Sequence, residues 1–128
     1  MSEVVIIALP LPTSVLQPNV TVGSFGGRML KASATKRYRR LAYKALEAEQ
    51  IKTLPWPKCS VAASFYHKTQ RRRDEDNAIG SLKAAYDGLV DARLVIDDDY
   101  AHMHREPPTF SVDRNWPRVM LTITRIDA

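Results

Sequence analysis

The run Val4 to Leu9, VVIIAL, is cut short by Pro10 and Pro12, and no other stretch constrains the fold as tightly. Its β-branched side chains are stiff at χ1 and suit a pleated sheet. The prolines remove backbone donors, so the ladder must end there and the chain must leave in an extended conformation. Spanning a bilayer takes about 20 apolar residues, and no basic region precedes the run as it would in a signal peptide. A strand of a soluble, cytoplasmic protein without a membrane partner is therefore expected.

The 128 residues suit a single domain spanning 1–128. A hydrophobic fraction of 45% and a charged fraction of 26% lie in the globular range. Cys59 is the lone cysteine, which excludes an internal disulfide and a cysteine-based zinc cluster and leaves it the role of a small buried hydrophobe.

After the first strand, a Pro-, Ser-, Thr- and Gly-containing loop runs to Gly27, long enough for a binding role or mobility. Ser33 to Gln50 reads as a helix opened by a Ser or Thr cap. Tyr38, Leu41, Ala42, Ala45 and Leu46 share one face, with Lys36, Arg37, Arg39, Arg40 and Lys44 largely outside it. Pro55 and Pro57 bound a connector, and Cys59 to Lys68 has the β-rich, partly alternating character of a second strand. Asn77 to Arg93 turns helical again around Ile79, Leu82, Tyr86, Leu89 and Val90. Thr109 to Val112 and Arg118 to Ile126 are further strands, expected to form a hairpin through DRNWP. The fold class predicted is α+β: a small mixed or antiparallel sheet with two main helices on one face.

The net charge of +5 and pI near 9.6 point towards a polyanion, and the distribution of charge sharpens this. From Arg28 to Arg73, thirteen Lys or Arg face only Glu47 and Glu49, a balance of +11; from Asp74 to Asp99, eight acidic residues face Lys83 and Arg93, a balance of −6. The reversal falls inside RRRDEDN, Arg71 to Asn77. Surface salt bridging is one explanation. The other is a division of labour, with Arg71, Arg72, Arg73, Lys68, Lys36, Arg37 and Arg40 contacting DNA phosphates and the carboxylates holding a metal.

If the motif continues the strand, Asp74 and Asp76 project to the same side, roughly 7 Å apart. If the following helix is unbroken, Asp76, Lys83 and Asp87 share a stripe. Magnesium favours several oxygen ligands and retains water, so such carboxylates suit a catalytic site. Phosphodiester hydrolysis uses that chemistry, and Lys83 could stabilise charge on the transferring group.

RRRDEDN, LKAAYDGLVDA (Leu82 to Ala92) and the DD within IDDD, with LPLPTS and LTIT at the two ends, resemble the RusA-like family of Holliday-junction resolvases. These are small homodimeric endonucleases often encoded by bacteriophages and prophages. The resemblance implies a RusA-like fold and magnesium-dependent, paired symmetrical cleavage of four-way DNA junctions, with manganese able to substitute, in the cytoplasm of a bacterial host. It implies Asp74, Asp76 and Asp98 as catalytic metal ligands, Asp97 competing with Asp98, and Lys83 as the essential lysine; Asp87 matches a helix Asp of structural or secondary role. The stretch from Asn77 to Lys83 is three residues longer than in the best-known member, and Arg93 stands where the family commonly has Gly. A non-catalytic branched-DNA-binding dimer and a nuclease for flaps or other branched DNA are the alternatives.

His102 and His104 have the spacing to face one way on a strand, as metal ligands or as ordinary surface histidines. Trp56, Trp116 and Tyr100 are candidates for stacking on unpaired bases, with core or hairpin packing the more common fate of tryptophans.

Overall fold

The computed structural model describes residues 3–18 and 23–127. In chain order it comprises β1 (Val4–Leu9), α1 (Phe25–Glu47), β2 (Lys58–His67), α2 (Glu75–Gly80), α3 (Lys83–Asp91), β3 (Met103–Arg105), β4 (Thr109–Val112) and β5 (Arg118–Ile126). The fold is α+β, as the alternation of strand and helix patterns predicts. The five strands form one mixed sheet in the order β1-β5-β2-β3, with β4 also on β2.

Strand alternation builds the core. Val5, Ile7 and Leu9 of β1, Cys59, Val61, Ala63 and Phe65 of β2, and Val119, Leu121 and Ile123 of β5 are buried on one face. Over it lie Tyr38, Ala42 and Leu46 of α1, spaced one helical turn apart, and Ala84, Ala85, Tyr86 and Leu89 of α3. Trp56 and Cys59 belong to this core, and burial pushes the Cys59 thiol up to about 11, so it is an inert hydrophobe. No helix among the described residues is long and apolar enough to cross a membrane.

Three expectations about the elements need correction. The first helix starts at Phe25 rather than Ser33, and its cap is Ser24, whose hydroxyl accepts from Gly27 N at 3.0 Å. Phe25, Met29 and Leu30 are more than half exposed, so the apolar periodicity that marks the rest of the helix is missing from its first turns. Part of the long loop expected before it, residues 19–22, lies outside the described residues.

The hairpin through DRNWP does not form. β4 pairs in parallel with β2, while β5 pairs antiparallel with β2 along its other edge, so β2 lies between them. The local turn signal was sound, because the Asp113 carboxylate accepts from Asn115 N and Trp116 N. What such a signal lacks is any information about which strand fills the gap.

The helix expected over Asn77 to Arg93 is broken at Ser81 and Leu82, where Leu82 N donates to Ile79 O in a tightened turn. Ser81 Oγ donates back to Ala78 O at 2.6 Å, and a Cβ on Gly80 would lie 2.2 Å from Pro18 Cγ. The Gly80–Ser81 pair thus lets the chain bend under the segment that follows β1. At the other end, Arg93 adopts φ 69 while Leu94 N donates to Leu89 O, a left-handed helix stop of the kind usually built on glycine. An Arg93→Gly variant is expected to gain up to about 1 kcal/mol, read as a higher urea midpoint at unchanged slope.

Candidate active site

The acidic motif sits at a strand-to-helix transition. β2 ends at His67, and Asp74 is the N-cap of α2, its Oδ1 accepting from Asp76 N at 3.0 Å and Asn77 N at 3.4 Å. Asp is among the best N-cap residues because its oxygen satisfies orphan backbone donors, and Glu75 and Asp76 in the first turn complement the helix dipole. The motif is therefore not a continuation of the strand, and the expected same-side projection of Asp74 and Asp76 fails. Asp74 lines a cavity with Arg71, Arg72 and Arg73, whereas Asp76 lines a cleft with Arg105 and Glu106.

Lys83 opens α3, so Asp76 does not share its helical stripe. Its Nζ donates to Asp87 Oδ1 at 3.0 Å, the i, i+4 pair expected from the spacing, and to Asp98 Oδ2 at 2.5 Å, fifteen residues away. Asp98 also accepts from Arg105 Nη2, at 3.2 Å through its carboxylate and 3.0 Å through its carbonyl. Its side chain is 15% exposed. Burial alone would push its pKa up; the Lys83 hydrogen bond and the charges of Lys83 and Arg105 outweigh that and hold it below the usual carboxylate range. The same bond to Asp98 raises the Lys83 pKa.

Of the two competitors, Asp98 is the one gathered into this network. Asp97 is exposed and accepts from Asp98 N at 2.7 Å, a local turn contact. The Lys83–Asp98 cleft and the Asp76 cleft share Ile79, Gly80 and Arg105, so the two clefts adjoin at these residues. Arg105, whose guanidinium also lies 4.4 Å from the Tyr86 ring centroid, was not among the residues that the sequence marked. Its only sequence cue is a place in a three-residue strand too short to leave a pattern.

Among the described residues, no group of three or more His, Cys, Asp or Glu side chains is gathered as a metal-holding cluster. Asp74, Asp76 and Asp98 offer the oxygen donors that a hard divalent cation takes, but they line separate cavities and are not drawn around one point. Asp98 is held ionised, Asp74 uses Oδ1 for its cap, and the Asp76 side chain takes no hydrogen bond or ion pair among the described residues. His102 and His104 are engaged with other carboxylates: His102 Nδ1 lies 2.6 Å from Asp99 Oδ1, and His104 Nε2 lies 3.4 Å from Glu106 Oε1.

The basic residues divide into two sets. Arg71, Arg72 and Arg73 line the cavity beside Asp74, and Lys68 is exposed immediately after β2. Lys36, Arg37 and Arg40 are exposed on α1, while their neighbour Arg39 is tied to Asp91 of α3 by bonds of 2.6 and 2.8 Å. Trp116 is 56% exposed, with Arg118 centred 4.0 Å from its ring and 4.0 Å from that of Tyr66, and Tyr100 is 90% exposed. No protein-family model matches the chain, and no curated protein gives a significant match to it.

Proposed function

We propose that this protein is a magnesium-dependent endonuclease for branched DNA, of the RusA-like kind, which resolves four-way junctions by paired cuts. The observation that carries this reading is the meeting of Lys83 and Asp98, distant in sequence, beside the cleft of Asp76. Ion pairing of that type also occurs in purely structural networks. Here its cleft adjoins that of an unengaged carboxylate, within a molecule of net charge +5.

In this reading Asp76 and Asp98 would hold the divalent cation, Asp74 joining them only if its Oδ2 turns from the arginine-lined cavity, and manganese would substitute for magnesium. Once bound, the cation supplies an activated water and neutralises charge on the phosphate. The chain's own contribution is positional and electrostatic. The N-cap anchors Asp74 at the start of α2, Arg105 fixes the carbonyl and carboxylate of Asp98, and Lys83 supplies positive charge that can move from Asp98 to the phosphate. Arg71, Arg72, Arg73, Lys68, Lys36, Arg37 and Arg40 would contact the DNA backbone, where recognition depends on phosphate and shape.

Paired cuts call for two sites, and the open sheet face is suited to a second copy of the chain. Val4 and Ile6 are each 54% exposed there, and their neighbours across the sheet, Thr122, Thr124, Ser60 and Ala62, carry no charge. Two chains would meet there as packed sheets related by a twofold axis, with the uncharged β1 edge at the contact. An Ile6→Arg variant is expected to sediment as a monomer at concentrations where the parent is a dimer, because each two-fold contact would bury two unpaired charges. Identical sedimentation of the two chains would remove this face as the interface.

A non-catalytic branched-DNA-binding dimer is the second reading, favoured by the closure of Asp98 by Lys83 and Arg105. The two are separated by presenting a four-way junction, a flap and a linear duplex side by side with magnesium. The nuclease reading expects junction cutting well above duplex cutting. Binding of the junction without hydrolysis supports the second reading, and faster cutting of the flap reassigns the substrate.

A further inference from the structure

The cavity beside Asp74 has a chemistry that hydrolysis alone does not use. It has a volume of about 320 Å³ and lies between the Arg71–Arg73 segment, α2 and the residues following β1. That is the small end of the range of about 300–1,000 Å³ for small-ligand pockets. Its walls combine three guanidiniums with three aromatic rings. Phe65 stacks on His67 at 6.0 Å and 5° and on Phe110 at 5.5 Å and 27°, while His67 and Phe110 are 6.3 Å apart at 24°.

The pleat explains the platform. Phe65 and His67 are two residues apart on β2 and so project to one side, and Phe110 is the register partner of Phe65 on β4. A second cavity, of about 410 Å³, shares His67, Arg71, Arg73 and Phe110 with the first, so these residues line both. His67 Nε2 is buried with no hydrogen-bond partner among the described residues. Burial, then the charges of Arg73 and Arg71, lowers the His67 pKa and favours the neutral ring, which can donate at one nitrogen and accept at the other.

We propose that this cavity is a nucleotide pocket, in which one base of a DNA strand stacks on the rings of His67 and Phe110 while Arg71 and Arg73 hold its phosphate. A simple anion site would have no need of a tiled aromatic wall, and an apolar ligand would gain nothing from three arginines. A nucleotide uses both. The proposal rests on the nuclease reading for its place in function: Asp74 lines the same cavity, so the captured nucleotide would flank the scissile phosphate.

The test is made on the intact chain in EDTA, where no cleavage can occur. Resonances of His67 and Phe110 are followed by NMR during titration with dAMP, dCMP, deoxyribose 5-phosphate and inorganic phosphate. Both nucleotides are expected to shift these signals and to bind about tenfold more tightly than deoxyribose 5-phosphate, the gain typical of one stacked base. Phe110→Leu should abolish that difference. Arg73→Gln should weaken all four ligands and guards against a Phe110 variant that fails to fold.

Equal binding of nucleotides and inorganic phosphate, or shifts confined to other residues, would overturn the pocket. The metal-free design separates the two ideas. Nucleotide binding by a chain that never cuts a junction would sink the nuclease and leave the pocket, whereas junction cutting without nucleotide binding would do the reverse.

Discussion

An Asp98→Asn variant is expected to lose junction cleavage by at least about 100-fold while retaining junction binding. The substitution keeps the shape of the side chain and removes the charge that a hard cation requires. The size of the fall follows from electrostatic groups at reacting centres, each typically worth about 10²- to 10³-fold in rate. The variant would also leave Lys83 and Arg105 facing a neutral amide where they now share an ionised carboxylate. Junction affinity should therefore hold or rise, since repulsion of phosphate falls as cations are released. Asp97→Asn is the matched control: its carboxylate only caps a local turn, so cleavage should stay near the parent level. Equal loss in both variants would point to damage to the Asp97–Asp99 segment rather than to a lost ligand.

The second large effect is on stability. Gly88 lies where α3 packs tightly on α1: a Cβ there would stand 2.1 Å from Arg39 O and 3.0 Å from Ala42 Cβ. The obstacle is backbone, which cannot rotate away as a side chain would. Gly88→Ala should therefore push the helices apart and cost about 1–3 kcal/mol, despite the better intrinsic helix propensity of Ala. Urea unfolding followed by circular dichroism would show a lower midpoint. An unchanged or higher midpoint would mean that the helices are not in close contact at this position. The Arg39–Asp91 pair spans the same interface, but at 48% and 36% side-chain exposure it contributes little to holding it.

Sequence reasoning succeeded where one local rule dominates. β1, β2 and β5 were legible because β-branched and alternating residues match a sheet with one buried face, and the second half of α1 because Tyr38, Ala42 and Leu46 repeat at helical spacing. It failed where tertiary neighbours decide. The first turns of α1 carry exposed Phe25, Met29 and Leu30 beside two glycines, a composition that reads as loop. The partner of β4 is chosen by β2, which no turn signal encodes.

The candidate site shows the same division. Lys83 to Asp87 is a local i, i+4 relation and was readable from spacing. The approach of Asp98 to Lys83 is a long-range contact and was expected only from the family resemblance. Asp74 was misread because a carboxylate after a strand is equally compatible with one more strand residue or a helix cap. The backbone donors of Asp76 and Asn77 settle it as a cap. Arg105 left no trace in the sequence, although it is the charged residue common to both carboxylate clefts.

The central claim is tested most directly by incubating the folded protein, with magnesium and separately with manganese, with a four-way junction labelled in turn on each strand. Symmetrical nicks on one opposing pair of strands, yielding two linear duplexes, are the predicted result. An intact junction under both metals, from a protein shown to be folded and to bind it, would contradict the account.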